Sequence, residues 1–410
     1  MLLTVSKRLE FSASRRLFDP KLSASENLAI FGAESAARYG TGRNYVAHFV
    51  FSGPVNPETG MLINISEIKA RVGEVLHDGF DHKFLNEDNP AFADLVPTAE
   101  NIARQLFREA EPLFHDSDAR LVACHLCETE QRTATYYADG RCEENHWIDF
   151  SAARQTMSPH LSQGENEQLF GVAASPYGHG HHYHVRVTFD RSGGAGEAAA
   201  SDVHRQLETL RAELDHKNLN HEVPELRDWP ITTESLAQWM FERLNDGSAL
   251  ARIRLHERDD FFAEYWHGGR YFLGMQRAFS AAHRLHVRAL SQDANFDLFG
   301  KCNNERGHGH LYLAETTIGG DYDERSGTLH SFDAFSRAIE EALEPWQNKH
   351  LDLETDEFRA TPSTGENIVG ALWSRLDTNL DGRVSRLRLA ETANNRFTLR
   401  KIADQQETTR

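Results

Sequence analysis

A chain of 410 residues, of which 26% are charged and 40% hydrophobic, has the composition of a globular protein with roughly two to four domains. Its formal net charge of -18 argues against a general nucleic-acid binder or a protein of anionic membranes. No apolar run is long enough to predict a membrane span, and the N-terminus becomes charged too early for a signal peptide. The four cysteines, few for this length, predict a reducing compartment, and we expect a cytoplasmic protein.

In chain order, the sequence passes through one series of motifs three times. An FSA motif opens each series, in RLEFSASRRL, DFSAARQTM and RAFSAAHRL, and an FG dipeptide follows each one. A strand with G-x-G comes next, as GTGRNY, GHGHHY and GHGHLY, and then a helical stretch, a loop, a second helix opened by threonine, and strands that carry a glutamate. Each repeat predicts strand, strand, helix, helix, strand, strand over about 130 residues, the size of a small domain.

Glycine and polar residues interrupt the pattern at Ala138–Arg141 and His267–Arg270, which predicts the boundaries between the repeats. We call the three repeats units one, two and three. We predict unit one at residues 1–140, unit two at 141–268 and unit three at 269–403, followed by a short tail at 404–410.

Unit three carries residues that predict a metal site. His308 and His310 alternate along a strand, so both side chains lie on one face. Two imidazoles are two ligands of a zinc ion, His283 is a candidate third ligand, and the thiol of Cys302 is close in sequence. The alternative is a polar strand with two unrelated histidines.

Units one and two have lost parts of this set. Unit one has Arg15 in place of His283 and lacks the histidine pair. Unit two keeps His179 and His181, but Arg154 stands at the third ligand position, where a cationic side chain opposes a metal ion. Whether this pair binds a metal is left open, because further histidines lie on the other strand face.

An Asp-His dipeptide recurs at one place in the first two units, as Asp81-His82 and Asp215-His216, and unit three lacks it. A thiol is mostly protonated at neutral pH, and a histidine held by a carboxylate is able to take its proton and return it. The chain therefore divides one acid-base set between units.

The motifs FSAAHRL, FGKCNN and GHGHLY, in this order, resemble the 6-pyruvoyltetrahydropterin synthase family, which includes the 6-carboxytetrahydropterin synthases. The resemblance implies zinc held by three histidines and a cysteine as proton acceptor, which are here His283, His308, His310 and Cys302. It also implies a glutamate that anchors the pterin, Glu366, assisted by Thr364, and a second carboxylate in the proton relay, Glu391.

The resemblance implies an α+β fold of T-fold units, each ββααββ. Three tandem units would form a pseudo-trimeric antiparallel β-barrel ring with the helices outside, and two rings would stack as a homodimer that mimics a hexamer. In this family the Asp-His pair comes from a neighbouring subunit. We expect each site to borrow it from the preceding unit, which assigns Asp215 and His216 to Cys302; Asp81 and His82 are the alternative.

The implied activity is that of a lyase that eliminates triphosphate from 7,8-dihydroneopterin triphosphate and completes an internal redox tautomerisation, with Zn2+ and no organic cofactor. The five-residue gap between Cys302 and His308 is typical of the pyruvoyl type. The alternatives are the 6-carboxytetrahydropterin synthase of the queuosine pathway, and a non-catalytic pterin-binding or scaffold protein.

Overall fold

The computed structural model describes residues 1–192, 199–245 and 249–402. Twelve long strands form one antiparallel sheet that closes into a barrel, with the helices packed outside. The predicted α+β class and the ring of three T-fold units are confirmed. The tail predicted at 404–410 lies outside the described residues.

Each unit contributes four strands to the barrel. Unit one has β1 Leu2–Arg15, β2 Thr41–Ser52, β3 Arg120–Cys127 and β4 Arg132–Tyr137. Unit two has β5 Cys142–Arg154, β6 His179–Asp190, β7 Leu250–Arg258 and β8 Phe261–Trp266. Unit three has β9 Arg270–His283, β10 His308–Gly319, β11 Val384–Thr392 and β12 Asn395–Arg400.

The helices repeat in the same way. Unit one has α1 Ala24–Phe31, α2 Ile65–Gly79 and α3 Ala99–Ala110. Unit two has α4 Gln163–Phe170, α5 Ala199–Leu214 and α6 Thr233–Leu244. Unit three has α7 Gln292–Phe299, α8 Phe332–Leu343 and α9 Gly365–Asn379. The predicted threonine caps are confirmed, because Thr98, Thr232 and Thr364 each accept a hydrogen bond from a backbone N–H of the first helical turn.

The short helices α1, α4 and α7 lie between the first two strands of each unit, where the sequence analysis had placed no helix. Their signal is a serine N-cap, which for Ser23 and Ser162 is part of a complete capping box with a glutamate three residues later. The FG motif ends these helices, because Gly32, Gly171 and Gly300 all adopt a positive φ that glycine tolerates.

The ring closes because the last strand of each unit pairs with the first strand of the next. β4 pairs with β5, β8 with β9, and β12 with β1, all antiparallel. The third junction, where Leu2 lies opposite Arg400, joins the first and last strands, so none of the twelve long strands in the described residues has an open edge.

The two faces of the barrel wall differ. On the outer face, an FSA phenylalanine stacks on a tyrosine of the next strand in every unit, at 4.8 Å for Phe11 and Tyr45 and 4.9 Å for Phe279 and Tyr312. Alternate residues point into the lumen, and many of these are charged. Among the helices of the described residues, none has the length and apolar character needed to cross a membrane.

Candidate active site

Two strand ends bring the three predicted histidines together. His283 is the last residue of β9 and lies directly opposite His308, the first residue of β10. His310 follows two residues later on the same face, and one ring nitrogen from each histidine lies within 4.8 Å of the others. The Nε2 atoms of His283 and His308 are 3.1 Å apart. The alternation predicted from the sequence therefore produces a cluster of three imidazoles.

The cluster fits a zinc ion. A hydrogen bond of 2.8 Å joins His283 Nδ1 to the carbonyl oxygen of Ser363, and because a carbonyl only accepts, Nε2 keeps its lone pair. Within the described chain, the buried atoms His308 Nδ1 and His310 Nε2 have no hydrogen-bond partner. Zinc–nitrogen bonds of about 2.0–2.1 Å place tetrahedral ligand atoms about 3.4 Å apart, close to the observed nitrogen separation.

Electrostatics keep two of these imidazoles in the neutral form that binds metals. Burial, with the neighbouring His283 and His310, lowers the pKa of His308 to about 4. Burial also lowers the pKa of His310, against the opposing field of Glu391. The Glu391 carboxylate lies 3.7 Å from His283 Nε2 and 3.8 Å from His310 Nε2, so it provides a negative charge beside the cluster.

Cys302 lies in the turn Gly300–Asn303 that connects α7 towards β10. Its carbonyl oxygen accepts a hydrogen bond of 3.0 Å from the backbone N–H of Leu285, which fixes the turn against the chain that leaves β9. Burial, and then the carboxylate of Glu391, raise the pKa of the Cys302 thiol. The thiol is therefore protonated at neutral pH unless a cation or a base acts on it.

Glu366 and Thr364 form the wall of the site at the start of α9. Glu366 is buried, and its Oε1 accepts a hydrogen bond of 2.9 Å from the backbone N–H of Leu62. Thr364 Oγ1 donates to the carbonyl oxygen of Gly60 at 2.7 Å. Burial and the field of Glu391 raise the pKa of Glu366 to about 7. The residues that meet this wall belong to unit one, because β12 pairs with β1.

The two Asp-His pairs lie on their own units. Asp215 Oδ1 accepts from the backbone N–H of Ser151, its Oδ2 lies 3.0 Å from His216 Nδ1, and the following residues pair with β5. Asp81 and His82 have the same arrangement beside β1. Three strands separate β5 from β9, and no hydrogen bond or ion pair among the described residues joins either pair to Cys302. Both pairings with the thiol stay predictions.

Both histidines of these pairs are exposed and have unusual backbones. His82 has φ 56° and an 84% exposed side chain, and His216 has φ 60° and an 83% exposed side chain. A positive φ is uncommon for residues other than glycine and is often kept at functional positions. In unit three, Asn348 has this conformation at the equivalent place.

In units one and two, an arginine fills the place of His283. Arg15 is buried and donates from Nε to Glu128 at 2.8 Å and from Nη1 to Thr41 at 3.0 Å. Arg154 pairs with Glu257 and donates to Thr233 Oγ1 at 3.1 Å. The guanidinium groups thus supply the positive charge beside a glutamate at the position of Glu391.

Unit two keeps two histidine clusters. His179 and His181 lie near Glu257, and His181 Nε2 is 3.1 Å from its carboxylate, so Arg154 and His181 share one acceptor. On the lumen face, His182 and His184 lie near Asp149, with 2.5 Å between His184 Nδ1 and Asp149 Oδ1. Sequence reasoning had noted this second histidine pair without its aspartate, because Asp149 reaches it only through the pairing of β5 with β6.

The model of the family described as 6-pyruvoyl tetrahydropterin synthase matches the chain three times, over residues 4–139, 146–268 and 273–401. A 6-pyruvoyl tetrahydrobiopterin synthase of Drosophila melanogaster is 40% identical over 110 residues, which are 27% of this chain and 66% of that protein. The Homo sapiens protein of the same name is 38% identical over 120 residues, 29% of this chain and 83% of its own length.

Among solved structures, the 6-pyruvoyl tetrahydropterin synthase of Caenorhabditis elegans aligns with 32% identity over 32% of this chain and 96% of its own, with a TM-score of 0.30. The Drosophila melanogaster and Homo sapiens proteins each correspond to about one unit of this chain, which agrees with three repeats. Because the family model matches three consecutive segments that span nearly the whole sequence, the chain belongs to the 6-pyruvoyl tetrahydropterin synthase family.

Proposed function

We propose that this protein is a zinc-dependent, 6-pyruvoyltetrahydropterin synthase-like lyase with one working site per chain, in unit three. The substrate is 7,8-dihydroneopterin triphosphate, from which triphosphate is eliminated while electrons move within the pterin and its side chain. The observation that carries the proposal is the convergence of His283, His308 and His310 in one cluster. Glu391 adjoins this cluster, and its charge acts on both the thiol of Cys302 and the buried carboxyl of Glu366.

His283, His308 and His310 would hold the zinc ion. When bound, it supplies a Lewis acid for the hydroxyl groups of the substrate side chain. The carbonyl oxygen of Ser363 keeps His283 in the tautomer that offers Nε2. Glu391 adds negative charge beside the cluster and thereby favours a cation.

Glu366 would orient the pterin. Its Oε1 accepts from Leu62, and a carboxylate has further acceptor positions that would receive the aminopyrimidine. The N-cap Thr364 and the contact with Gly60 hold the start of α9 against unit one. Rigid placement of this carboxylate fixes the reacting side chain relative to the thiol.

Cys302 would accept the proton that leaves the substrate carbon. Its thiol first needs to lose its own proton, and an imidazole held by a carboxylate provides that base. We assign this role to His216 with Asp215, and Asp81 with His82 are the alternative. Because both histidines are exposed and neither touches Cys302 in its own chain, we propose that the pair comes from the second chain of a homodimer.

Incubation of the purified protein with 7,8-dihydroneopterin triphosphate tests the activity. We expect release of triphosphate and a product with the mass of 6-pyruvoyltetrahydropterin; the mass of the carboxy product would assign the other reaction of the family. Cys302→Ala should reduce turnover on the order of 100-fold or more while zinc is retained. Cys127→Ala, at the end of β3, is the matched control and should leave turnover unchanged. Full activity of Cys302→Ala would exclude the thiol as the base.

A further inference from the structure

The barrel lumen contains a cavity of about 300 Å³ that the proposed reaction does not use. Seven arginines line it against one acidic residue, Glu143. The lumen is separate from the pterin site, because side chains alternate along β11: Arg386 and Arg388 line the cavity, whereas Leu389 lies in the core and Glu391 beside the histidines. The lumen is therefore positively charged in a chain whose formal net charge is -18.

The glutamates in and around the lumen are already engaged. Both carboxylate oxygens of Glu143 accept from Arg252, at 2.7 and 2.6 Å. Glu264 accepts from Arg386 at 2.9 Å. Glu315 lies 2.8 Å from Arg254 and 3.6 Å from Arg388. Their negative charge therefore compensates arginines of β7 and β11.

Two arginines of β12 have no such compensation. Within the part of the chain that the structure describes, neither Arg396 nor Arg400 makes an ion pair with a carboxylate, and the Nε of Arg400 is buried without a hydrogen-bond partner. The Nε atoms of Arg186 and Arg386 are likewise buried and unsatisfied. A buried donor without an acceptor, or a buried charge without a counter-charge, is costly, so this geometry calls for an anion.

The titration behaviour of the lining residues agrees with an uncompensated positive potential. Burial and the neighbouring Arg254 lower the pKa of Arg186 to about 9. Burial lowers the pKa of His125 to about 4, and the field of Arg186 adds to this effect. Charges of one sign inside walls of low dielectric focus the potential and raise the local concentration of counter-ions.

We propose that the lumen is a binding site for a small polyanion that carries phosphate groups. Guanidinium forks from several strands, including Arg186, Arg396 and Arg400, surround the cavity and match the oxygen geometry of phosphate. The volume suits a ligand of a few phosphate groups. Such an anion would link β6 of unit two with β12 of unit three, so it would bind the folded ring and stabilise it.

Inorganic pyrophosphate is the probe, titrated into the full-length protein by calorimetry at constant ionic strength. We expect saturable binding that weakens at least tenfold in the double variant Arg396→Gln/Arg400→Gln. The matched control, Arg108→Gln/Arg337→Gln, removes two exposed arginines from the outer helices α3 and α8 and should bind as the wild type does. Glu366→Gln should also bind normally, which separates the lumen from the pterin pocket. Equal binding by wild type and lumen variant would overturn the proposal.

Thermal unfolding gives a second test, and its decisive part uses only the wild-type protein. The unfolding midpoint of the wild type should rise with pyrophosphate, because a ligand of the folded state stabilises that state. Without pyrophosphate, the lumen variant should unfold at the same or a higher temperature than the wild type, since it has lost two uncompensated charges. A wild-type midpoint that does not move with pyrophosphate would overturn the proposal.

Discussion

Units two and three have the same backbone arrangement at the candidate site but carry different side chains there. His283 ends β9 opposite His308, and Arg154 ends β5 opposite His179. In unit three the imidazoles leave lone pairs and unpartnered nitrogens around a common centre, whereas in unit two a guanidinium fills the space and pairs with Glu257. Unit one has the same arrangement as unit two, because Arg15 pairs with Glu128.

The three units share a glutamate at one position, and units one and two pair it with a buried arginine. The glutamate of the last strands remains in every unit, as Glu128, Glu257 and Glu391. A buried carboxylate requires a cation nearby, and an arginine satisfies this need without a metal. Units one and two therefore keep a stable site wall while losing the ligand that a metal requires.

The largest effect should come from the metal ligands. His308→Ala removes one of three imidazoles in unit three, and we expect zinc content near zero and turnover reduced on the order of 1,000-fold. His181→Ala is the matched change in unit two and should alter neither quantity. Metal analysis and product assays measure both, and zinc loss in His181→Ala alone would move the metal site to unit two.

The second prediction concerns the proton relay. His216→Ala should reduce turnover on the order of 100-fold without changing zinc content, because a positioned acid-base group contributes about this factor. His82→Ala should have little effect. Because each chain would lend its pair to the other, an inactive His216→Ala protein mixed with inactive Cys302→Ala should regain activity in heterodimers. If His82→Ala reduces turnover more than His216→Ala does, the relay belongs to Asp81 and His82.

The third prediction uses the shifted pKa of Glu366. Its carboxyl ionises in the folded protein at about 7 instead of 4.5, so pterin affinity should rise as the pH increases through 7. The folded state holds this proton more tightly than the unfolded state. Its contribution to stability is therefore complete below 4.5 and is lost as the pH rises towards 7.

Glu366→Gln should weaken pterin binding about tenfold above this pH and remove the pH dependence. Glu234→Gln, in the equivalent buried position of unit two, is the control and should bind pterin as the wild type does. Fluorescence titration with a pterin across this pH range measures the effect. The same pH dependence in Glu366→Gln would exclude this carboxyl as its source.

The smallest functional effect is expected from rebuilding unit two. Arg154→His would return a third imidazole next to His179 and His181, and zinc content should rise from about one to about two per chain. Arg154→Ala leaves Glu257 without its buried partner and should cost about 3 kcal/mol of stability. Chemical unfolding and metal analysis distinguish the two variants. An unchanged metal content in a folded Arg154→His protein would indicate that more than the arginine separates the two units.

Much of the fold could be predicted from the repeats, because each motif depends on interactions between residues that are close in sequence. Threonine caps, helical spacing and strand alternation depend on neighbouring residues, and the predictions for Thr98, Thr232 and Thr364 were confirmed. The short helices α1, α4 and α7 were missed, although Ser23 with Glu26 forms a recognisable capping box. Eight residues give too short a periodic pattern to distinguish a helix from a loop.

The sequence by itself determined the three-unit ring, and it placed His308 and His310 on one face, since side chains alternate along any strand. The tertiary structure alone decided which unit contacts Glu366, because the pairing of β12 with β1 brings Leu62 to this residue across 304 positions of the sequence. It also decided that Arg154 pairs with Glu257, and that arginines from separate strands meet in the lumen. Contacts of this kind depend on how the barrel closes, which no local sequence pattern encodes.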